Sequence, residues 1–376
     1  MEILVIPDSF KGSLSAIEVA HVMAKTVKKV FPSSNCLSIP FSDGGEGALN
    51  VLASNIKGTF VECSTYDALK RPIKAPYFSF KNQKSVWIEL SQTAGITQLK
   101  QSELQPLKTS TWGAGKMIED ALSIGCKTIY LGIGGSATQD LGTGIISALG
   151  GRFLDENDEE LPEGGGELYR LKKIDLSNLS KKAIQCKWVI ACDVHNPLIG
   201  KSGTAKIFAK QKGASDKDVE LLEKGGRRFI DVVKKEFGID INILKFGGAA
   251  GGVGAGLYAL LNARLENGFE ILAEQIGLSK KMTKMDLILT GEGCFDKQSF
   301  FGKLPAQVAI LSQKKGVPCL IIVGKARVKK IEGLNMCKII ECTPADSSID
   351  EAMKNAKINL EQTITKELYQ IKNNQP

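Results

Sequence analysis

Residues 3–13 have the sequence ILVIPDSFKGS, in which a short apolar run ends at a proline and passes directly into a polar loop. The apolar run at residues 3–7 predicts a buried β-strand. Residues 16–30 follow with apolar side chains at helical spacing, and Ser15 with Glu18 has the spacing of an N-terminal capping box. A strand that leads through a polar loop into a helix is the repeating unit of α/β folds.

The same alternation of strand and helix returns near the end of the chain. Strands are predicted at residues 37–41, 286–290, 319–323 and 338–341, and helices at residues 304–315 and 349–366. With the first strand they make a flavodoxin-like parallel sheet of five strands, built from both chain ends. We place this α/β domain at residues 1–57 and 281–376. Residues 58–280 are predicted to form a second, mixed α/β domain that is inserted into the first.

The inserted region has shorter elements. Its predicted strands lie at residues 60–63, 73–80, 86–90, 128–131 and 188–191, with a helix at residues 115–123.

Composition excludes several classes of protein. The 376 residues are 43% hydrophobic and 24% charged, as in globular proteins. No apolar run approaches the roughly 18 residues of a membrane span, and the first residues lack the basic segment of a signal peptide. Nine cysteines without a C-x-x-C pair predict reduced thiols and a cytoplasmic protein. The net charge of +8 is spread along the chain, so we expect neither nucleic acid nor membrane as a partner.

Small, acidic or glycine residues follow five of the predicted strands. These loops are residues 7–13, 42–47, 132–138, 192–196 and 291–293. In open parallel sheets, ligands bind beyond the carboxyl ends of the strands, where glycines let backbone N–H groups approach phosphate oxygens. Carboxylates beside such loops repel a bare triphosphate unless Mg²⁺ lies between them. The pattern therefore indicates metal–nucleotide chemistry, although turn geometry alone is an alternative explanation for any single loop.

Three further features have two explanations each. The glycine tract at residues 247–256 suits either a phosphate cradle or close helix packing. Residues 290–305 hold carboxylates, an amide, a hydroxyl and lysines, which suits either an anion site or a solvated loop. Asp193 and His195 both follow a strand, and Asp193 is the better candidate because a lone histidine is commonly only a turn residue.

The sequence lacks one common nucleotide-binding motif and loosely matches another. The Walker pattern G-x-x-x-x-G-K-[ST] does not occur, so a Walker-type kinase is excluded. Gly132, Gly134 and Ala137 loosely match the dinucleotide fingerprint, with Asp155 downstream, and favour an NAD-dependent hydroxy-acid oxidoreductase as an alternative. Glycines interrupt the helix that should follow, each at a cost of about 1 kcal/mol. A non-catalytic sensor of sugar acids or nucleotides is the third possibility.

Eight segments, in order along almost the whole chain, resemble the type-1 glycerate kinase family. They are PDSFKGSLSA at 7–16, SDGGEG at 42–47, GIGGSAT at 132–138, ACDVHNPL at 191–198, QKGA at 211–214, AAGG at 249–252, TGEG at 290–293 and DKQS at 296–299. The resemblance implies Mg²⁺- and ATP-dependent phosphorylation of D-glycerate in a cleft between two α/β domains. It implies 2-phosphoglycerate as the product, with transfer to the 3-hydroxyl, giving 3-phosphoglycerate, as the alternative.

This reaction suggests a role for each candidate residue. We hypothesise that Asp193 accepts the hydroxyl proton and that Asp43 and Glu292 hold Mg²⁺. The other predicted catalytic residues are Asp8, Lys11 and Lys303. The residues predicted to bind substrate or phosphate are Ser13, Asp43, Gly44, Gly45, Glu46, Gly134, Gly135, Ser136, Thr138, Asn196, Gly251, Gly252, Asp296, Gln298 and Ser299. Glycerate and ATP are then the expected partners, and the prediction allows for a homodimer.

Overall fold

The computed structural model of the chain describes residues 1–42, 47–81, 84–192, 194–296, 299, 303–328, 330 and 332–374. Spatial proximity divides the chain into two compact units. Residues 1–43 and 272–376 form one of them, which we call the terminal unit, and residues 44–271 form the central unit. The domain boundaries predicted from the sequence, after residues 57 and 280, lie further along the chain than these divisions.

The chain begins with strand β1 (Glu2–Val5), helix α1 (Ala16–Val30) and strand β2 (Asn35–Ser38). Helix α1 has the predicted bounds, and the predicted capping box is present. The Ser15 hydroxyl accepts a bond from the Glu18 backbone N–H at 3.3 Å, and the Glu18 carboxylate accepts one from the Ser15 backbone N–H at 2.8 Å. These bonds satisfy N–H groups that have no partner inside the helix and so fix where α1 starts.

The central elements follow in chain order. They are α2 (Ala48–Asn55), β3 (Gly58–Tyr66), β4 (Pro72–Phe80), β5 (Ser85–Glu89), α3 (Ser91–Ala94), α4 (Trp112–Ser123), β6 (Thr128–Gly132), α5 (Thr143–Ala148), β7 (Arg152–Leu154), β8 (Lys173–Asp175), α6 (Lys181–Gln185), β9 (Lys187–Cys192), α7 (Thr204–Phe208), α8 (Asp216–Phe237), α9 (Val253–Leu261), β10 (Arg264–Asn267) and α10 (Gly268–Gln275). The central sheet has the order β10-β9-β6-β5-β4-β3, in which β3 and β4 are antiparallel to their neighbours and the other pairs are parallel. Strands β7 and β8 form a separate antiparallel pair.

Helix α10 spans the division between residues 271 and 272. The last part of the chain completes the terminal unit. Its elements are α11 (Leu278–Met282), β11 (Leu287–Phe295), α12 (Leu304–Lys315), β12 (Cys319–Ala326), β13 (Cys337–Glu341), α13 (Ile349–Lys354) and α14 (Ala356–Asn373). The single helix predicted over residues 349–366 is wrong, because the chain forms two helices that meet at Asn355. Asparagine suits such a break because its side chain competes with the backbone for hydrogen bonds.

The terminal sheet has five parallel strands in the order β13-β12-β11-β1-β2. Counted from β2, this is the flavodoxin-like order 2-1-3-4-5, and it confirms the predicted α/β sheet from both chain ends. Its core is apolar, with Ile3, Val5 and Leu289 fully buried. Because all five strands run the same way, the loops that follow them emerge at one edge. Among the helices of the described residues, none is long and apolar enough to cross a membrane.

Candidate functional site

A cavity of about 450 Å³ opens at the carboxyl edge of the terminal sheet. Asp8, Lys11 and Ser13, which follow β1, line it together with Glu292 from β11 and Lys303 from the start of α12. Pockets of roughly 300–1,000 Å³ are typical for small-molecule ligands. The structure thus brings five of the predicted site residues into one cavity.

Glu292 is the buried acid of this cavity, with 6% of its surface exposed. Its Oε1 accepts a hydrogen bond from the Ser299 hydroxyl at 2.6 Å, and its Oε2 lies 3.6 Å from the Lys303 Nζ. Burial raises the pKa of Glu292, while the Ser299 bond and the Lys303 charge oppose that rise. The carboxylate is therefore held in one orientation with a cation beside it, so the site offers an oxygen ligand for a metal and an ammonium for an anion.

Asp296 orients Ser299, which in turn holds the Glu292 carboxylate. Its Oδ1 accepts a bond from the Ser299 backbone N–H at 3.3 Å, and its own N–H donates to the Ser299 hydroxyl at 3.2 Å. Both residues were predicted to bind substrate or phosphate. In the structure they hold Glu292 in place, and their contact with a ligand stays a prediction.

The loop after β1 is fixed against β11. The Asp8 backbone N–H donates to the Gly291 carbonyl at 2.9 Å, and the Asp8 carboxylate accepts a bond from the Ser9 N–H at 2.6 Å. A side chain at Gly293 would lie 3.3 Å from the Lys11 backbone nitrogen, tighter than most such contacts. The glycine therefore lets this loop lie close to β11, and Asp8 and Glu292 line the same cavity.

Ser13 closes the turn of the same loop. Its hydroxyl donates to the Phe10 carbonyl at 2.9 Å, and its backbone N–H donates to the same oxygen at 2.9 Å. The predicted use of this hydroxyl as a donor to an anionic oxygen would need that bond to be exchanged.

The described residues that line the cavity give it a positive balance. The cations are Lys11, Lys303, Lys325 and Arg327, and the carboxylates are Asp8 and Glu292. Lys325 also pairs with Glu341 at 2.8 Å. The sequence analysis missed Lys325 and Arg327. They stand at the carboxyl end of β12, so the rule that identified the other loops applies to them as well.

The loop after β6 is the main feature of the central unit. The bonds from the Ile96 N–H to the Gly135 carbonyl, at 2.8 Å, and from the Ala137 N–H to the Ala94 carbonyl, at 2.7 Å, hold it in place. Gly135 has a left-handed backbone, with φ of 71°. Within the described ranges, no acceptor faces the backbone N–H groups of Gly134, Gly135 and Ser136. Successive unpaired N–H groups of this kind form an anion-binding concavity.

Lys212 lies behind this loop and is 3% exposed. Its ammonium donates to the Ser136 hydroxyl at 3.0 Å and to the Thr138 carbonyl at 2.8 Å. Burial lowers the pKa of Lys212 to about 7, although the negative charge of Asp140 opposes that fall. The sequence analysis gave Lys212 no role. Its presence in the QKGA segment was the only signal available.

Asp140 fixes the far end of the loop and is fully buried. Its carboxylate accepts bonds from the Thr111 N–H at 2.7 Å, the Thr111 hydroxyl at 2.8 Å and the Gly142 N–H at 3.2 Å. Burial raises the pKa of Asp140, and these bonds limit the rise.

The acid of the loose dinucleotide fingerprint has another use. Asp155 accepts bonds from the Asn157 N–H at 2.9 Å and the Glu159 N–H at 3.1 Å, and it pairs with Arg170. It therefore stabilises a turn, which gives no support to the oxidoreductase alternative.

The glycine tract packs against the loop after β6. Ala250, Gly251 and Gly252 all have left-handed backbones, with φ of 51°, 70° and 88°. A side chain at Gly251 would lie 2.2 Å from the Thr138 carbonyl oxygen. Close packing therefore explains Gly251 in this structure. The phosphate-binding role of Gly251 and Gly252 stays a prediction.

Asn196 and His195 lie in the loop after β9. The Asn196 side chain donates to the Ser202 carbonyl at 2.9 Å, and its backbone carbonyl accepts a bond from Gly248 at 2.9 Å. The His195 ring packs on Phe246 with 4.6 Å between ring centres, and burial lowers its pKa.

Six predicted site residues fall outside the described residues. They are Asp43, Gly44, Gly45, Glu46, Asp193 and Gln298. The placement of the proposed base and of one proposed metal ligand therefore stays a prediction.

Comparison with known proteins gives full-length matches. The profile of the glycerate kinase family matches residues 3–372. A glycerate kinase of Halalkalibacterium halodurans and a glycerate 2-kinase of Escherichia coli K12 are each 35% identical over 362 residues, which is 96% of this chain and 95% of the relative. A crystal structure from Salmonella typhimurium LT2, provisionally named glycerate kinase 2, superposes with a TM-score of 0.82 at 35% identity, over 99% of this chain and 98% of that one.

Proposed function

Because the chain belongs to the glycerate kinase family, we propose that it transfers the γ-phosphoryl group of ATP to the 2-hydroxyl of D-glycerate, giving 2-phosphoglycerate. Family membership confirms the predicted class of enzyme, an ATP-dependent small-molecule kinase. The proposal rests on a family match that spans residues 3–372. The name of the Escherichia coli relative favours the 2-hydroxyl over the 3-hydroxyl.

In this reaction the cavity of the terminal unit binds anionic oxygens. Phosphoryl transfer needs mainly positioning and charge stabilisation from the protein. Lys11 and Lys303 neutralise phosphate or carboxylate charge, and Lys325 and Arg327 add two further cations to the same cavity. The excess of cations over carboxylates in this cavity supports the assignment.

Mg²⁺ is part of the proposal. Within the described part of the chain, no group of three or more His, Cys, Asp or Glu side chains forms a metal cage. Mg²⁺ in kinases is commonly bound by one or two carboxylates together with substrate phosphates, so the fixed carboxylate of Glu292 fits it. Glu292 and Asp43 would hold the ion, which when bound neutralises charge on the phosphates.

Asp193 is proposed as the general base. The 2-hydroxyl oxygen of glycerate forms the new bond to the γ-phosphorus, the bond from that phosphorus to the β,γ-bridging oxygen breaks, and ADP leaves. The hydroxyl proton passes to the Asp193 carboxylate. Asp193 directly follows β9, whose last residue, Cys192, is fully buried. The position of Asp193 directly after a buried strand supports this assignment.

The loop after β6 supplies hydrogen-bond donors. The N–H groups of Gly134, Gly135 and Ser136 are proposed to bind an anionic oxygen of glycerate or of the nucleotide. Their lack of acceptors among the described residues supports this role.

An ADP-release assay with D-glycerate and Mg·ATP tests the function. We expect turnover with glycerate and much less with lactate, which has the 2-hydroxyl but lacks the 3-hydroxyl of glycerate. Asp193→Asn should lower kcat by about 100- to 10,000-fold, the usual contribution of a general base. Absence of ADP release with glycerate would contradict the kinase, and reduction of NAD in an absorbance assay would favour the oxidoreductase instead.

We also propose a cytoplasmic location, because nine cysteines without a disulfide suit a reducing compartment. The homodimer stays a prediction.

A further inference from the structure

Lys212 is a buried cation whose charge is not neutralised at contact distance. None of the ion pairs among the described residues includes it, and its two hydrogen bonds go to neutral oxygens of Ser136 and Thr138. Burying a charge without a partner is costly. A cation is retained in such a place when something else supplies the opposite charge.

The contact with Ser136 connects Lys212 to the outer side of the loop. A hydroxyl has one proton to donate and two lone pairs. Because one lone pair accepts a proton from Lys212, the Ser136 hydroxyl proton is directed away from the lysine and is available to another acceptor. Ser136 is 6% exposed and Gly135 beside it is exposed, so an anion can reach this side of the loop.

We propose that Lys212 is a positioning residue of the phosphoryl-transfer site, which acts through Ser136 to bind an anionic ligand oxygen on the Gly134–Ser136 loop. The proposal rests on the proposed function for the identity of the ligands, which are the carboxylate of glycerate or a phosphate of ATP. The anion contacts the Ser136 hydroxyl and the N–H groups of Gly134, Gly135 and Ser136, and the ammonium lies one hydrogen bond behind them. The anion is then the missing opposite charge.

The charged groups near Lys212 are bound to other partners, so a ligand can supply the negative charge that balances its ammonium. Asp140 acts on the ammonium from the same loop but is bound to Thr111 and to backbone N–H groups. On the neighbouring segments, Glu103 is paired with Arg71 at 2.6 Å, and Lys210 with Asp216 at 2.6 Å. Because burial makes Lys212 easy to deprotonate in the free protein, binding of an anion should draw a proton onto it.

Two variants distinguish the contribution of the Lys212 charge to ligand binding from that of its hydrogen bonds to the loop. Lys212→Met removes both charge and hydrogen bonds, and Lys212→Gln keeps a neutral donor of similar length. Lys206→Met is the matched control, because Lys206 is an exposed lysine on α7 nearby in sequence. Binding of D-glycerate and of Mg·β,γ-imido-ATP is measured separately by titration calorimetry, and thermal unfolding is recorded for every variant.

Both variants of Lys212 should fold with a melting temperature equal to or above that of the wild type, since a buried charge is removed. The Kd of the ligand that contacts the loop should rise about 10- to 100-fold, the usual worth of a hydrogen bond to a charged group. Lys206→Met should bind as the wild type does. Which of the two ligands is affected identifies the anion.

A pH series gives a readout that a structural role would not move. The glycerate carboxylate does not titrate between pH 7 and 9, so its Kd should rise with pH by up to about tenfold per unit while Lys212 loses its proton. In Lys212→Met this rise should be absent.

Unchanged Kd for both ligands in folded Lys212→Met would overturn the proposal, as would wild-type affinity in Lys212→Gln, because the lysine would then be only scaffold. A wild-type enzyme that binds neither ligand, or binds both without releasing ADP, would contradict the proposed function itself. The results with the Lys212 variants are distinct from that failure, because they are read against a wild-type enzyme that binds its ligands and turns over.

Discussion

The two units present the groups that we propose to bind anions in opposite ways. In the terminal unit, the cations line an open cavity, and the side chain of Lys303 is 37% exposed. In the central unit, the cation is Lys212, which is 3% exposed and lies behind the loop. Water screens the first arrangement and is excluded from the second. The comparison teaches that burial, and not charge alone, should decide how much Lys303 and Lys212 each contribute to ligand binding and how strongly salt weakens that contribution.

The largest effect is expected at the buried acid of the terminal cavity. Glu292→Gln keeps the shape and the bond from Ser299 but removes the negative charge beside Lys303. We expect kcat/KM to fall about 100- to 1,000-fold, the range for loss of one preorganised electrostatic group. Steady-state kinetics with glycerate and Mg·ATP measure it.

Glu361→Gln is the control for this change. Glu361 forms an ion pair with Lys29 at 3.4 Å, in which both side chains are well exposed, so activity should not change. Equal activity of Glu292→Gln and the wild type would remove Glu292 from the site.

The next effect concerns the support of the central loop. Gly251→Ala forces a side chain onto a left-handed backbone and to within 2.2 Å of the Thr138 carbonyl. Strain of about 1–2 kcal/mol and a similar overpacking cost should lower the free energy of unfolding by about 3 kcal/mol. Denaturant titration measures this loss.

Gly316→Ala in the terminal unit isolates the backbone contribution. Gly316 has nearly the same φ, 69°, but no other atom lies within 4 Å of the added carbon. Gly316→Ala should lower the free energy of unfolding by only about 1 kcal/mol. If the two losses were equal, the close approach of Gly251 to the loop would not matter.

The third effect concerns how the buried Lys212 makes stability depend on pH. Burial lowers the pKa of Lys212 to about 7 in the folded chain, against 10.5 as its ordinary value. Between these values the unfolded state binds more protons, so unfolding free energy should rise with pH by up to about 1.4 kcal/mol per unit. Lys212→Met should lack this contribution between pH 7 and 9. Identical pH profiles of the two proteins would show that Lys212 titrates normally.

The smallest effect is expected at the exposed lysine. Lys303→Met should raise the KM of the anionic ligand about tenfold at low salt, and less at about 0.5 M salt, where charges in contact with solvent are screened. The loss caused by Lys212→Met should change little over the same range. Lys29→Met, an exposed paired lysine of the same unit, is the control. A salt response shared by Lys303 and Lys212 would end the contrast between the two units.

Much of the fold was predictable because local patterns agreed with it. The apolar runs predicted the five strands of the terminal sheet, and the ends of α1 and α12 are as predicted. The strand predicted over residues 37–41 lies earlier in the structure, at Asn35–Ser38. Strand β10 was missed because its sequence RLEN has no apolar run, and it is a strand through pairing with β9. Helix α8 was missed although Ser215 and Asp218 form a capping box at its start.

The candidate site was predictable only where position along a strand was enough. Asp8 follows strand β1, and Glu292 lies in the carboxyl-terminal half of strand β11. Because the strands are parallel, such positions come to the same edge of the sheet. The contact of Lys212 with Ser136 joins residues 76 positions apart. No local pattern specifies that contact, because it depends on how the segment after α7 packs on the loop.

Phosphorus NMR of the product tests the central claim most directly. After the enzyme has acted on D-glycerate and ATP, the ester phosphorus should appear as a doublet in the proton-coupled spectrum, because C2 of glycerate carries a single hydrogen. A triplet would place the phosphoryl group on C3, which carries two hydrogens, and would contradict 2-phosphoglycerate as the product. No new ester signal at all would contradict the kinase itself.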